Sequence, residues 1–523
     1  MASPTQPLRR KLRAYLLVSG VSAHLLALAF FTLLHLRFPD HGLGEILHKG
    51  QLRLSKNHPT VASAIGAAVS AIGLKPALKA QKITLPAFPG PQAWPAQGTA
   101  ADGFQRIGYD RQGIPQQTAP GRFERSDTDN IVDVNDESSL AKALREAEAG
   151  DVITLSPGIY RFSKRRIGLG GGGLPGRPIH LRAEHLGSVQ IELDTLEGFF
   201  VDKPYWVFEN LHIRGTCKSD SKCEHAFHIV GHAAGTTLRN NELIDFNAPI
   251  KVNGLFSNKG DQFPDHGLVH NNNIYNTRAR RTANPVSLIN INAANDWVVS
   301  ANFIADFAKS DGNRISYGAF MKSNSNNGVF ERNLVVCHWR LQMDGGIRIG
   351  LSFGGGGSAA KTSRQRDNNP EHTGGIMRNN IIARCPSDVG IYLNKSAHTQ
   401  IHNNLLFGTA GIDVRFATSS ASIHNNVLDG RIRDRDDGIH DADNNLLAAE
   451  CGWIDRLTDA CGSDAWYQDA TRGDLRLTVA HRILDKGNTD PRDELDFCGN
   501  PRKRPTDIGP IEYGAGPLCL PSQ

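Results

Sequence analysis

The sequence has no Cys-x-x-Cys pair and no cysteine–histidine spacing of the kind that holds zinc, so a zinc module is not expected. It also lacks a dominant charge: 58 basic residues stand against 53 acidic ones, a formal net charge of +5 and a pI near 8.7. No nucleic-acid partner follows from so mild a balance, while acidic glycans are compatible with it. The glycine run Gly170–Gly173 has no GK[ST] ending and lies between strand-like stretches, which makes it a turn and not a phosphate loop. Long apolar runs with a 3.6-residue period are missing as well, and this excludes an array of helical repeats. One long hydrophobic run exists, at Ala14–Leu36.

What the chain does have is a recurring stretch. It begins at Leu238 as LRNNELIDF and returns as VHNNNIYNT, VSANFIADF, FERNLVVCH, MRNNIIARC, IHNNLLFGT, IHNNVLDG and DNNLLAA. Aligning Asn241, Asn272, Asn302, Asn333, Asn380, Asn404, Asn426 and Asn445 gives an apolar column three residues earlier: Leu238, Val269, Val299, Phe330, Met377, Ile401, Ile423 and Ala442. Self-similarity at such a period marks a solenoid. The stretches are short, rich in Val, Ile and Phe, and broken by Gly and Asn, so each repeat reads as a rung of three short strands and three turns. A buried Asn at one turn of each rung can bond its amide to the next Asn and to the turn backbone, which makes the column structural.

These Asn turns, the lead-in LAKALREAEAGDVITLSPGIYRF from Leu140 and the ending TDIGPIEYG from Thr506 resemble the right-handed parallel β-helix, or pectin-lyase-like, superfamily over roughly residues 130–515. The resemblance implies an all-β fold: a single right-handed parallel β-helix with an N-terminal capping helix, preceded by a transmembrane helix and a linker. It says less about the reaction, because the fold hosts lyases, hydrolases, epimerases and binding proteins.

The expected order is a basic cytoplasmic segment at 1–13, a transmembrane signal anchor at 14–36, a Pro/Gly/Ala-rich linker or wrapping arm at 37–129, the β-helix at 130–450 and a C-terminal cap at 451–523. The anchor's 23 residues reach roughly 34 Å at 1.5 Å per residue, enough to span a bilayer. Arg9, Arg10, Lys11 and Arg13 precede it, which holds the N-terminus in the cytoplasm and sends the β-helix across the cytoplasmic membrane, into the periplasm or beyond. The alternative is a signal peptide cut near Ala27–Ala29, leaving a secreted protein. A helix capped by Asp136 or Ser138, with Leu140, Leu144 and Ala147 on one face and Gly150 at its end, is expected to close the first rung. The eight cysteines fall in a sequential order that suggests Cys217 with Cys223, Cys337 with Cys385, Cys451 with Cys461 and Cys498 with Cys519, the alternative being eight reduced, buried thiols. Cys337 and Cys385 follow equivalent ladder positions of adjacent rungs, about 4.8 Å apart and within reach of a disulfide.

Counting back from each ladder Asn gives a further apolar column: Ile229, Val252, Ile291, Met321, Ile349, Leu393 and Val414. Strand alternation then points the residues on either side outward. They form a strip in which Lys322, Arg348 and Tyr392 are the catalytic candidates, and His228, Lys251, Asn253, Asn290, Asn292, Phe320 and Asn394 are the substrate-binding ones. Insertions at Leu255–Gly267 and Leu351–Thr373 leave the same edge of the strip, where together they can wall a groove. The Lys322 and Arg348 pair is similar in arrangement to the Lys and Arg pair of chondroitinase B and its alginate lyase relatives. In that reading Lys322 is the base that takes the C5 proton of a uronate, Arg348 neutralises the carboxylate, Phe320 stacks on a sugar and Tyr392 gives a proton to the leaving oxygen. The glutamate pairs of that group's calcium site are absent here. The candidate metal ligands are instead Asp245, Asn276 and Asp306, each four residues after its ladder Asn, with Ca²⁺ as the cofactor they would take; the same oxygens equally suit hydrogen-bonded turns. The expectation is a monomeric, membrane-anchored lyase or C5 epimerase acting on an acidic polysaccharide, with a non-catalytic polysaccharide-binding β-helix as the alternative.

Overall fold

The computed structural model describes residues 130–516 apart from short stretches, together with 108–109 and 115–116. The anchor at 14–36, the segments on either side of it and residues 449–462 lie outside the described residues. Among the described residues no helix is long and apolar enough to cross a membrane.

Among these residues the chain winds through three parallel sheets of 12, 11 and 10 strands, each rung giving one strand to each sheet, which is a parallel β-helix. The 12-stranded sheet runs from Asn130–Val134 to Ile439–Asp443, the 11-stranded sheet from Gly158–Phe162 to Leu446–Leu447, and the 10-stranded sheet from Arg166–Gly168 to Arg431–Arg435. The apolar column of the repeat pairs in register, Leu238 with Val269, then Val299, Phe330, Met377, Ile401 and Ile423. All of these side chains are buried in one continuous core. Parallel strands covered on their inner face require such apolar residues, since no water reaches them.

The asparagine ladder forms over all eight rungs. From Asn272 to Asn445 the Oδ1 of each Asn accepts from both the backbone N–H and the Nδ2 of the Asn one rung earlier, at 2.9–3.0 Å. Each Nδ2 also donates to a backbone carbonyl of the preceding rung, as Asn302 does to Val269 at 2.9 Å. The residue just before each ladder Asn sits in the left-handed region, with φ between 53° and 56° from Asn240 to Asn444. Asparagine tolerates this conformation better than most residues, which accounts for the recurrent Asn-Asn pair.

Helix α1, Glu137–Glu146, closes the first rung. Asp136 caps it, accepting from Ser139 N–H at 2.7 Å, and Leu140 and Leu144 are buried in the β-helix core. The glycine run supplies its seat: Gly170 N–H donates to the Leu144 carbonyl at 2.9 Å. A Cβ on Gly170 would lie 1.8 Å from the Arg145 carbonyl oxygen and one on Gly171 2.0 Å from that of Ala147. Gly170→Ala is therefore expected to lower stability by about 1–3 kcal/mol, measured by urea unfolding, while the same change at Gly168, where a Cβ meets nothing within 4 Å, is close to neutral.

The described part of the segment expected as a cap, residues 463–516, packs along the outer face of the 11-stranded sheet. Trp466, Tyr467, Leu475, Ile483 and Phe497 meet Ile244, Phe303, Leu334, Ile381, Leu405 and Val427 in an apolar cluster separate from the interior. Asparagines of the left-handed ledge also bind it: Asn379 Nδ2 donates to the Leu495 carbonyl and Asn425 Nδ2 to that of Asn488. Cys217–Cys223 and Cys337–Cys385 are disulfides, as expected. Cys498 is also disulfide-bonded; Cys451, Cys461 and Cys519 lie outside the described residues.

Candidate functional site

The outward strip lies on the 10-stranded sheet. Its strands are β1 (His225–Val230), β2 (Ile250–Asn253), β3 (Val286–Asn292), β4 (Ile315–Lys322), β5 (Ile347–Phe353), β6 (Ile391–Asn394) and β7 (Gly411–Arg415). The register joins His228, Lys251, Asn290, Phe320, Ser352, Tyr392 and Asp413 in one outward row. A second row holds Asn253, Asn292 and Lys322, and further along Asn394 and Arg415.

Arg348 does not stand beside Lys322. It pairs with Ser316, and Phe353, not Ile349, continues the inward column. The strand runs on to Phe353 and the extra residues begin after it, later than the expected Leu351, so the expected column falls four residues early in this rung. Arg348 is 3% exposed, and its Nη2 reaches the Gly345 carbonyl at 3.4 Å. Burial and then Arg314 push its guanidinium down to about 10, against the pull of Asp306.

Five of the remaining expected residues do come together on β1–β3. Lys251 Nζ donates to Asn290 Oδ1 at 2.9 Å, and that oxygen also accepts from Asn292 Nδ2 at 2.5 Å. Burial first, then the charge of Lys322 two strands away, push the Lys251 amine down to about 7, with Glu224 opposing. Both effects penalise the ammonium form. On the neighbouring strand His228 Nε2 lies 3.0 Å from Asn253 Oδ1, and Nδ1 lies 3.5 Å from Glu197 Oε1. Burial lowers the His228 pKa, while Asn253 and Glu197 oppose the shift.

Phe320 is 4% exposed and its ring is not open to a sugar; the Lys322 ammonium lies 4.6 Å from its centroid. Both lie beneath the second insertion, where a Cβ on Gly355 would be 3.5 Å from the Lys322 side chain and 3.7 Å from the Phe320 ring. Burial lowers the Lys322 pKa, and the insertion's own Glu371 opposes this. Glu371 is buried and accepts from Gly355 N–H at 3.0 Å and Ser358 Oγ–H at 3.2 Å. The two insertions are tied together as well. Arg364 makes a bidentate pair with Asp265 at 2.6 and 2.7 Å and covers the Phe263 ring, while Arg366 meets Asp261 at 2.8 Å and covers Phe256. The two insertions expected to wall one edge of the strip are thus joined to each other by ion pairs.

Tyr392 lies two strands beyond Lys322 and is buried against Ile349 and Val389. Its hydroxyl accepts from Arg415 Nη1 and Asn394 Nδ2, both at 3.1 Å, and burial raises its pKa. Asp245 accepts from the Thr277 N–H and hydroxyl and from Arg214, and Asp306 from the backbone N–H groups of Trp339, Arg340 and Leu341. Their oxygens are committed to turns, while both amide atoms of buried Asn276 meet no hydrogen-bond partner. Among the described residues no group of three His, Cys, Asp or Glu side chains could hold a metal ion.

Sequence reasoning passed over Glu197, Glu224 and Glu371. Glu371 lies in an insertion with no repeat to align it, and the other two precede the columns that the repeat fixes.

No family model matches the chain, and no curated protein matches it. Among solved structures, the chain is similar to pectate lyase Pel9A with a TM-score of 0.50 and 13% identity, over 74% of this chain and 96% of that one. It is also similar to the A-module of the Azotobacter vinelandii mannuronan C-5 epimerase AlgE4, with a TM-score of 0.40 and 13% identity over 61% and 92% of the two chains. The polysaccharide lyase Pedsa3628 of family PL6 from Pseudopedobacter saltans gives a TM-score of 0.32 and 14% identity over 63% and 95%. The likeness to Pel9A establishes the class of fold, the parallel β-helix that lyases share with epimerases and binding proteins.

Proposed function

We propose that this chain acts on an anionic, uronate-containing polysaccharide, with Lys251 in the role of general base that the sequence pattern offered to Lys322. The observation that carries this reading is the Lys251 amine itself. It is desolvated, held by Asn290 and poised near neutrality, with a second cation two strands away disfavouring its charge, which is what removal of a weakly acidic C–H proton at neutral pH requires. Lys251 takes the C5 proton; the electron pair forms the C4–C5 double bond and the C4–O bond breaks. The new ammonium returns its proton to the departing oxygen. The field of Lys322 favours the charge that builds on the adjacent carboxylate. If the carbanion is instead reprotonated from the opposite face, the outcome is C5 epimerisation.

The test is incubation with alginate and with polygalacturonate, with and without chelator, followed by ultraviolet absorbance of unsaturated uronates and by NMR of C5 configuration. Either product supports the reading, and the chelator arm measures calcium dependence directly. Binding of polymer with neither product leaves the non-catalytic binding β-helix.

The basic start and the apolar run at 14–36 further support a β-helix tethered outside the cytoplasm. Carbonate extraction is expected to leave the full-length chain in the membrane pellet; its release at the size of a cut chain contradicts the tether.

A further inference from the structure

The outward strip is open at one end and closed at the other. On β1 and β2 the side chains of His228, Lys251 and Asn253 are part-exposed, and beyond them the Phe200 ring, with Arg166 4.0 Å above it, continues the open surface. The strip begins to close on β3, where Asn290 is 6% and Asn292 8% exposed, and its first row stays covered from there on, while Lys322 in the second row keeps the part-exposure of Lys251. Phe320 lies under Gly355, Ser352 is 0% exposed, Tyr392 is packed with Ile349 and Val389, and Asp413 is enclosed by Arg433 and Arg435. The covering segment is anchored at several points. Tyr317 Oη–H donates to the Gly355 carbonyl at 3.3 Å, Asn368 Nδ2 to that of Ser358 at 2.8 Å, and Glu371 fastens Gly355 and Ser358 from beneath. Arg364 and Arg366 then tie it to Asp265 and Asp261 on the other insertion.

We infer that the cleft is blind and that this chain engages the end of a polysaccharide: the terminus enters from the Phe200 side, passes Lys251 and stops against the Gly355 roof over Phe320 and Lys322. The inference rests on the proposed function for the kind of ligand and adds where on the polymer the protein acts. Lys251 and the roof are two strands apart, about 10 Å at the spacing of a parallel sheet. This places the reacting unit next to the closed end, so products are short from the first turnover. A polymer threading through the strip would instead need an open path along Ser352, Tyr392 and Asp413, which the structure fills.

Two measurements test this. In the first, wild type is mixed with alginate or polygalacturonate, and viscosity is followed against bonds broken. Short products with slow loss of viscosity are expected; a rapid fall with a broad ladder of sizes overturns the inference. In the Arg364→Ala/Arg366→Ala double variant, which releases the roof from the opposite wall, the viscosity lost per bond broken is expected to rise several-fold. The second needs no turnover. Hexamers of the same uronates are fixed on streptavidin through their reducing or their non-reducing end, and binding of wild type and of Lys251→Ala is compared on the two surfaces. A blind cleft binds one surface at least about tenfold better, whereas equal binding overturns it. If wild type generates neither unsaturated nor inverted residues, the base assignment fails, and the two surfaces still decide whether the cleft has a closed end.

Discussion

Lys251→Ala is expected to remove turnover of the susceptible uronate polymer by about 10²–10⁴-fold, the usual worth of a positioned general base, without loss of the fold. The side chain makes one hydrogen bond to Asn290, lies on the outer face and is not part of the apolar interior, so circular dichroism and thermal unfolding should change little. The pH profile carries the same assignment. A base works as the neutral amine; with Lys251 near 7, activity falls as pH drops through that value and the amine takes up a proton. Lys322→Met removes a neighbouring charge that disfavours the Lys251 ammonium, so the acid limb of the profile moves to higher pH. An unmoved limb in that variant would show that some other group sets it.

Asn302→Ala is expected to be among the most damaging single changes in the ladder. Its Oδ1 accepts from the Asn272 N–H and Nδ2, and its Nδ2 donates to the carbonyls of Val269 and Ser300 and to Asn333 Oδ1, all fully enclosed. Alanine leaves the Asn272 N–H and the Val269 carbonyl without that partner, and at about 1–3 kcal/mol for each buried unsatisfied group the loss is about 3 kcal/mol or more. Asn445→Ala removes the same type of bonds on a half-exposed rung, where water substitutes, and should cost about 1 kcal/mol. Denaturant unfolding of both variants gives the comparison; equal losses would mean that burial of the ladder is not the source of its stability.

The ladder was legible because every rung must solve the same problem at the same turn, which leaves the same residue there. The column around Ile229, Val252 and Ile291 was legible for the same reason, and it placed Lys251, Asn253, Asn290 and Asn292 correctly on one outward face. Legibility failed at Arg348, where a repeat interrupted by an insertion does not say at which residue the strand ends and the extra residues begin. It also failed at Phe320 and Lys322, whose strand positions were right but whose cover comes from another rung's loop, through Gly355 and Glu371. Alternation reports which face a side chain leaves, not what lies above it. For that reason two lysines that looked alike in the strip differ in the structure, Lys322 lying beneath a loop and Lys251 at the open end.

The central claim, that Lys251 removes the C5 proton of a uronate, is tested most directly by running the reaction in D₂O and following C5 by NMR. Wild type is expected either to eliminate across C4–C5, with loss of the C5 proton, or to place solvent deuterium at C5. Lys251→Ala is expected to do neither while still binding the polymer. A wild-type protein that binds uronate polymers yet leaves every C5 proton in place, or a Lys251→Ala variant that still removes it, would contradict the account.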